Sequence, residues 1–193
     1  MSKSTTYELV VIGGSAGSIT VITTILAALP VDFRLPIVIV VHRQKNVESE
    51  LSKLLQPKKN TLNIYEPEDK QSIEFNHIYL APQNYHLLIE KDRSFGLDYS
   101  ELVQFSRPSI DVTFESCSNV YGNKLLAIVL SGANDDGSAG SEIIINNGGT
   151  VVVQHPSTAE FPKMVESVIK KCSKAIIKPP DEIAEYLQTI SMF

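Results

Sequence analysis

Gly13-Gly14-Ser15-Ala16-Gly17 follows the apolar run Tyr7 to Ile12 and precedes a helix-like stretch, so it fits the G-x-S-x-G pattern of a nucleophile elbow. A serine placed where a strand turns sharply into a helix has its hydroxyl held out at the sheet edge, beside the free N–H groups of the helix. That arrangement suits attack on a carbonyl. The flanking glycines allow a tight turn and close approach of a substrate to the backbone. Phosphate-binding turns share this look, but a dinucleotide fingerprint begun at Gly13 would need glycine at positions 15 and 18, where Ser15 and Ser18 stand. No Gly-Lys-Ser or Gly-Lys-Thr completes a P-loop. Serine chemistry therefore ranks ahead of nucleotide binding.

A nucleophilic serine needs a base and an acid, and the elements that would position them are legible in the hydropathy pattern. Runs rich in Val and Ile at Glu8 to Ile12, Pro36 to Val41, Thr61 to Tyr65, Ile78 to Ala81, Leu125 to Leu130 and Thr150 to Val153 read as strands. Several lack polar alternation, as expected for parallel strands covered on both faces. Helix-like stretches lie between them at Ser18 to Ala28, Val47 to Leu55, Ser109 to Tyr121, Ser138 to Asn147, Phe161 to Cys172 and Pro180 to Ile190. The order predicts an α/β fold: an open, mostly parallel, doubly wound sheet with helices on both faces. Tyr85 to Ile89 and Phe95 to Leu97, separated by a polar turn, add an antiparallel hairpin.

Ligands of such sheets bind at the carboxyl ends of the strands. Ser15 follows the first strand, His42 the second, and the loop Gly132-Ala133-Asn134-Asp135-Asp136-Gly137 follows Leu125 to Leu130. Serine, histidine and aspartate at strand ends are the parts of a hydrolytic triad, whose chain order varies between folds. His155 also follows a strand-like run and is the rival base, but Pro156 marks a turn after it, whereas His42 opens onto the polar loop Arg43 to Asn46. His77 and His86 fall elsewhere in this topology, in surface or hydrogen-bonding roles. For the acid, Asp135 and Asp136 are adjacent and only one need face inward, while Asp111 caps or starts a helix.

The bulk numbers narrow the field. At 193 residues with 43% hydrophobic and 20% charged residues, the chain suits one soluble domain with a sizeable core. A net charge of -5 argues against nucleic acid as a partner. Cys117 and Cys172 are widely separated without metal-ligand spacing, which predicts reduced thiols, a cytoplasmic location and no metal. The first residues lead straight into a strand with no secretory signal, and no apolar run approaches the ~20 residues of a membrane span. Gln56 to Asn60 reads as a loop rather than a linker.

Together these positions resemble the catalytic domain of the protein-glutamate methylesterases of bacterial chemotaxis, the CheB-type family, along almost the whole chain. Ile12-Gly13-Gly14-Ser15-Ala16-Gly17-Ser18 is similar to the family's I-G-A-S-T-G-G turn, and Val40-Val41-His42 to the strand ending in its catalytic histidine. Tyr79-Leu80-Ala81-Pro82 with His86-Leu87 resembles a Y-x-A-P block, and Arg107-Pro108-Ser109-Ile110-Asp111 an R-P-S-x-D block. Leu130 to Gly137 is similar to L-T-G-M-G-x-D-G, and Ser157 to Met164 to a segment reading S-A-x-F-P-G-M. Single blocks are unspecific; their shared order is not.

The resemblance selects Ser15, His42 and Asp136 and implies hydrolysis of glutamyl methyl esters on the cytoplasmic domain of methyl-accepting chemotaxis receptors. The same site could deamidate glutamine. Backbone N–H groups near Ala16, Gly17 and Ala133 would hold the oxyanion, and no cofactor is implied. Arg43 and Arg107 are candidates for contact with an acidic receptor helix, with solvated surface charge the plainer role for Arg43. His42 Nε2 would face Ser15, with Asp136 on the other ring nitrogen. Because the chain begins at the catalytic strand, residues 1–193 are expected to form a single methylesterase-like catalytic domain with no receiver domain, either a stand-alone enzyme or one domain of a larger protein, for which a separate regulatory domain or protein is a candidate partner.

Some positions depart from the family's pattern. Ala16 replaces threonine, Ser18 glycine, Ala133 and Asn134 a Met-Gly pair, and Lys163 a glycine. Position 134 is expected to need φ > 0, for which asparagine is among the better substitutes. Two further readings stay open: a non-catalytic domain that keeps the fold and binds receptor or a signalling partner, and an esterase for another substrate.

Overall fold

The computed structural model describes residues 6–43, 50–57 and 62–190. Seven parallel strands form one sheet: β1 (Leu9–Gly14), β2 (Ile37–Val41), β3 (Asn63–Tyr65), β4 (His77–Leu80), β7 (Leu125–Val129), β8 (Thr150–Gln154) and β9 (Ile176–Lys178), in the order β3-β4-β2-β1-β7-β8-β9. A separate antiparallel hairpin pairs β5 (His86–Ile89) with β6 (Phe95–Asp98). The helices are α1 (Ser18–Ala28), α2 (Leu51–Leu55), α3 (Ile110–Tyr121), α4 (Ser138–Asn146), α5 (Lys163–Lys171) and α6 (Pro180–Ile190).

Side chains alternate across a strand, so a strand apolar at every position must be covered twice. Leu9 and Val11 of β1 join a cluster with Phe114 of α3, Ile144 of α4 and Val168 of α5. Val10 and Ile12 join a second cluster with Ile22 and Leu26 of α1 and Ile183 and Leu187 of α6. The expected open, doubly wound α/β fold with helices on both faces is therefore present. The hairpin lies on the α3 side, where Leu87, Ile89 and Phe95 enter the first cluster.

Strand and helix positions follow the sequence reading closely. Residues 47–49 of the predicted second helix, Thr61 of the third strand and residues 58–60 of the predicted loop lie outside the described residues. The additional strand is β9, whose Ile176 and Ile177 are 37% and 43% exposed. At three residues on the sheet edge it carries no periodicity to detect.

The order of strands places the site. β1 has β2 on one side and β7 on the other, so successive connections depart from it in opposite directions. Such a reversal opens a crevice at the carboxyl ends of the flanking strands. Ser15 leaves β1, His42 leaves β2, and Asp136 lies in the loop that leaves β7.

Candidate active site

Gly14 pairs in register with Val41, and the His42 N–H reaches the Gly14 carbonyl at 3.4 Å, so Ser15 and His42 are the next residues on neighbouring strand ends. The Ser15 N–H donates to the Ser131 carbonyl at 2.9 Å, fixing the serine turn to the loop after β7. Ser131 is buried; its Oγ donates to the Ala16 carbonyl at 2.8 Å and accepts the Phe161 N–H at 2.9 Å. Three loops are thus joined through one hydroxyl that sequence reasoning passed over.

The turn at Ser15 is not a strained elbow. Left-handed backbone falls on Gly17, with φ of +77°, while Ser15 is absent from the positive-φ residues. A Cβ at position 17 would lie 2.7 Å from Glu160 Cβ and 2.8 Å from Ser131 Oγ, so glycine is required there for space as well as torsion. Gly17 caps α1 without a side-chain acceptor. Among the described residues no protein acceptor is recorded for the N–H groups of Ala16, Gly17 or Ala133. These are the donors a developing oxyanion could use.

Ser18 explains its own departure. Its N–H and Oγ both donate to the Ser15 carbonyl, at 3.1 and 2.7 Å. A Cβ on Gly14 would lie 2.6 Å from Ser18 Cβ, and Gly14 stands where the family pattern has alanine, just as Ser18 stands where it has glycine. There is room for a side chain at one of the two positions. Gly14→Ala alone is expected to cost about 1–3 kcal/mol of stability by overpacking, and adding Ser18→Gly should recover most of it. Urea unfolding of the two single variants and the double variant checks this coupling.

Asp136 is fully buried, and its exposed neighbour Asp135 is not the inward-facing acid. Its Oδ2 lies 2.7 Å from His42 Nε2 and accepts the Ile110 N–H at 2.8 Å. Oδ1 accepts Ser109 Oγ–H at 3.0 Å and the N–H groups of Asp111 and Gly137 at 2.9 and 3.0 Å. The carboxylate thus sits on the N-terminus of α3, where the helix dipole favours negative charge. Burial alone would push its pKa up, but the His42 contact and the α3 N–H groups outweigh burial and hold it below the ordinary carboxylate range.

The ring nitrogens of His42 are therefore used in the reverse of the expected order. Asp136 holds Nε2 at 2.7 Å, which leaves Nδ1 as the ring nitrogen free for another role, and among the described residues no hydrogen bond joins His42 to the Ser15 hydroxyl. An ionised carboxylate accepts, so the bond requires a proton on Nε2, and the tautomer that meets this requirement carries its lone pair on Nδ1. Asn134 departs from expectation too: its backbone is not in the left-handed region, and its Oδ1 accepts the Asp136 N–H at 3.3 Å. A side chain at position 134 is tolerated without strain.

His86 does not lie away from the site. It is buried beneath Ser109, whose N–H donates to His86 Nδ1 at 3.2 Å, while Nε2 donates to the Glu101 carbonyl at 2.9 Å. That pairing orients the imidazole and anchors the turn that presents Ser109 to Asp136. His77 starts β4 at the opposite end of the sheet, and the exposed His155 turns Nδ1 to Ser157. Asp111 is within the first turn of α3 rather than its cap, which is Ser109; its Oδ1 accepts the Gly140 N–H at 2.7 Å.

Burial pushes the Asp111 carboxyl up to about 6, aided by the Asp136 charge and opposed by the Gly140 N–H. A raised folded pKa means stability that is present below the unfolded pKa and lost as pH rises through about 6. Asp111→Asn cannot ionise, so its stability relative to wild type should improve by about 1–2 kcal/mol between pH 4 and pH 7. Denaturant curves at the two pH values provide the measurement.

Arg43 and Arg107 both line a cleft of about 120 Å³ with His42, Phe105 and Ser106. Arg43 is not a solvated surface charge: its side chain is 7% exposed, and Nη1 pairs with Glu66 and donates to the Ala81 carbonyl at 3.4 Å. Arg107 lies 3.9 Å over the Tyr99 ring and donates to the carbonyls of Tyr99 and Ser100.

Residues 10–187 match the family model described as CheB methylesterase. The chain belongs to the CheB methylesterase family. A Leptospira interrogans protein, provisionally named protein-glutamate methylesterase/protein-glutamine glutaminase, is 47% identical over 93% of this chain and 92% of its own length. A Thermotoga maritima protein bearing the same two activities in its name is 30% identical, but this chain spans 53% of it. The crystal structure of the Thermotoga maritima CheB methylesterase catalytic domain superposes with a TM-score of 0.89 at 29% identity, covering 95% of this chain and 98% of that one. Among the described residues no helix is long and apolar enough to cross a membrane, and no group of side chains has the makings of a metal site.

Proposed function

We propose that this CheB-family protein hydrolyses γ-glutamyl methyl esters on the cytoplasmic domain of chemotaxis receptors, with residues 1–193 acting as one catalytic domain. The observation that carries this reading is the His42–Asp136 contact at 2.7 Å, placed one residue beyond the strand pair that delivers Ser15. Ser15 Oγ attacks the ester carbonyl and gives its proton to His42 Nδ1. Asp136 holds the ring and stabilises the imidazolium. The N–H groups of Ala16, Gly17 and Ala133 hold the oxyanion. Collapse breaks the C–O bond, and methanol leaves with the proton from His42. Water, deprotonated by the same nitrogen, then attacks the acyl-serine and releases the glutamate carboxylate. A glutamine amide passes through a similar tetrahedral intermediate and would release ammonia instead of methanol.

The test is methanol release from a methyl-esterified receptor fragment, with mass spectrometry locating the new carboxylate. Release that maps to glutamyl side chains supports the reading. Hydrolysis of simple acyl esters with no release from the receptor fragment would overturn it.

A further inference from the structure

The cleft beside His42 holds two guanidinium groups with the same incompleteness. In both Arg43 and Arg107, Nη1 is engaged by the protein while Nε is buried and has no hydrogen-bond partner among the described residues. Nε and the adjacent Nη2 form the side-on edge of a guanidinium, which matches the two oxygens of a carboxylate. Arg43 is ion-paired with Glu66, whereas Arg107 makes no ion pair among the described residues and meets Asp98 only through space, so the cleft that His42 also lines keeps a cation without a bonded counter-charge. A neutral methyl ester gives that charge nothing to bind. The remaining arginine edges are built for a different group on the same substrate.

We infer that Arg43 and Arg107 form an anion subsite that holds a second, free carboxylate on the substrate chain, within a few residues of the esterified glutamate. This rests on the methylesterase reading of Ser15 and His42, and it adds a specificity: esters with an acidic neighbour are preferred. The volume of about 120 Å³ admits a carboxylate together with ordered water. Arginine at both positions, rather than lysine, suits planar recognition of that group.

The experiment uses the 193-residue Ser15→Ala protein, which should hold the ester without cleaving it, and two peptides bearing one glutamyl methyl ester, with either glutamate or glutamine as the neighbour. Fluorescence polarisation at low salt is expected to show the glutamate peptide binding at least about tenfold more tightly, because charge-assisted hydrogen bonds are roughly twice as strong as neutral ones. Arg43→Gln or Arg107→Gln should bring the ratio towards one, and the lysine variants, which keep charge but lose the fork, should fall between. Equal binding of the two peptides to the parent protein overturns the subsite, as does a preference unchanged in all arginine variants. A binding preference without hydrolysis by the wild type would leave the subsite standing and sink the esterase reading, so the two fail separately.

Discussion

Ser15→Ala is expected to reduce methanol release by about 10⁵- to 10⁶-fold while leaving the protein folded. The magnitude follows from removing a nucleophile that acts as a unit with its base, where loss of one member costs nearly as much as loss of all. A residual rate above that in water should persist, because oxyanion donors and substrate binding survive. The Ser15 hydroxyl makes no recorded hydrogen bond and is half-buried, so its loss should change stability by no more than about 0.5 kcal/mol. The contacts that build the turn run through its backbone, with its N–H to Ser131 and its carbonyl to Ser18. Methanol release and urea unfolding, measured on one preparation, separate catalysis from folding. The same variant should also lose labelling by a fluorophosphonate, whereas a non-catalytic binding domain would show no labelling in the parent protein. Persistent methanol release from Ser15→Ala would remove the serine from the mechanism.

What the sequence discloses depends on how local the cause is. Fully apolar strands such as Ile37–Val41 and Leu125–Val129 reveal burial on both faces, and the residues after them fall at the carboxyl edge by topology alone. Ser15, His42 and the Asp135-Asp136 pair were therefore legible as strand-end residues. Which aspartate faces inward depends on α3 packing against that loop, and only the folded chain puts Asp136 on three N–H groups. His86 was illegible for the same reason. Nothing near it in sequence distinguishes a buried support from a surface histidine, since its partner Ser109 is 23 residues away. Arg43 reads as a loop charge until Glu66 and the Ala81 carbonyl close around it. The paired exchange at Gly14 and Ser18 was visible as letters, but its meaning is a 2.6 Å distance across one turn.

Asp136→Asn should lower turnover by about 10⁴-fold and also destabilise the fold, through one geometric fact. The two carboxylate oxygens face five donors: Ser109 Oγ–H, Asp111 N–H and Gly137 N–H on Oδ1, and Ile110 N–H and His42 Nε2–H on Oδ2. An amide keeps one oxygen. Placing it at Oδ1 satisfies three of these donors, whereas the flipped amide satisfies two, so the NH₂ group takes the Oδ2 position. There it opposes the Ile110 N–H, donor against donor, and leaves that group unsatisfied in the interior at a cost of about 1–3 kcal/mol. It also donates to His42 Nε2, which must then accept. The ring proton moves to Nδ1, and the nitrogen that acts as base in the proposed mechanism can no longer take a proton. Kinetics should therefore show a fall in kcat larger than any change in KM, and NMR of the imidazole should report the Nδ1–H tautomer. In the parent protein the depressed Asp136 pKa contributes stability above the unfolded carboxylate range, lost as pH falls through the folded value. The asparagine variant should lack that portion of the acid transition, so the stability gap between the two proteins narrows as the solution is acidified. A variant with intact turnover and the Nε2–H tautomer would show that Asp136 is a cap for α3 and not the partner of His42.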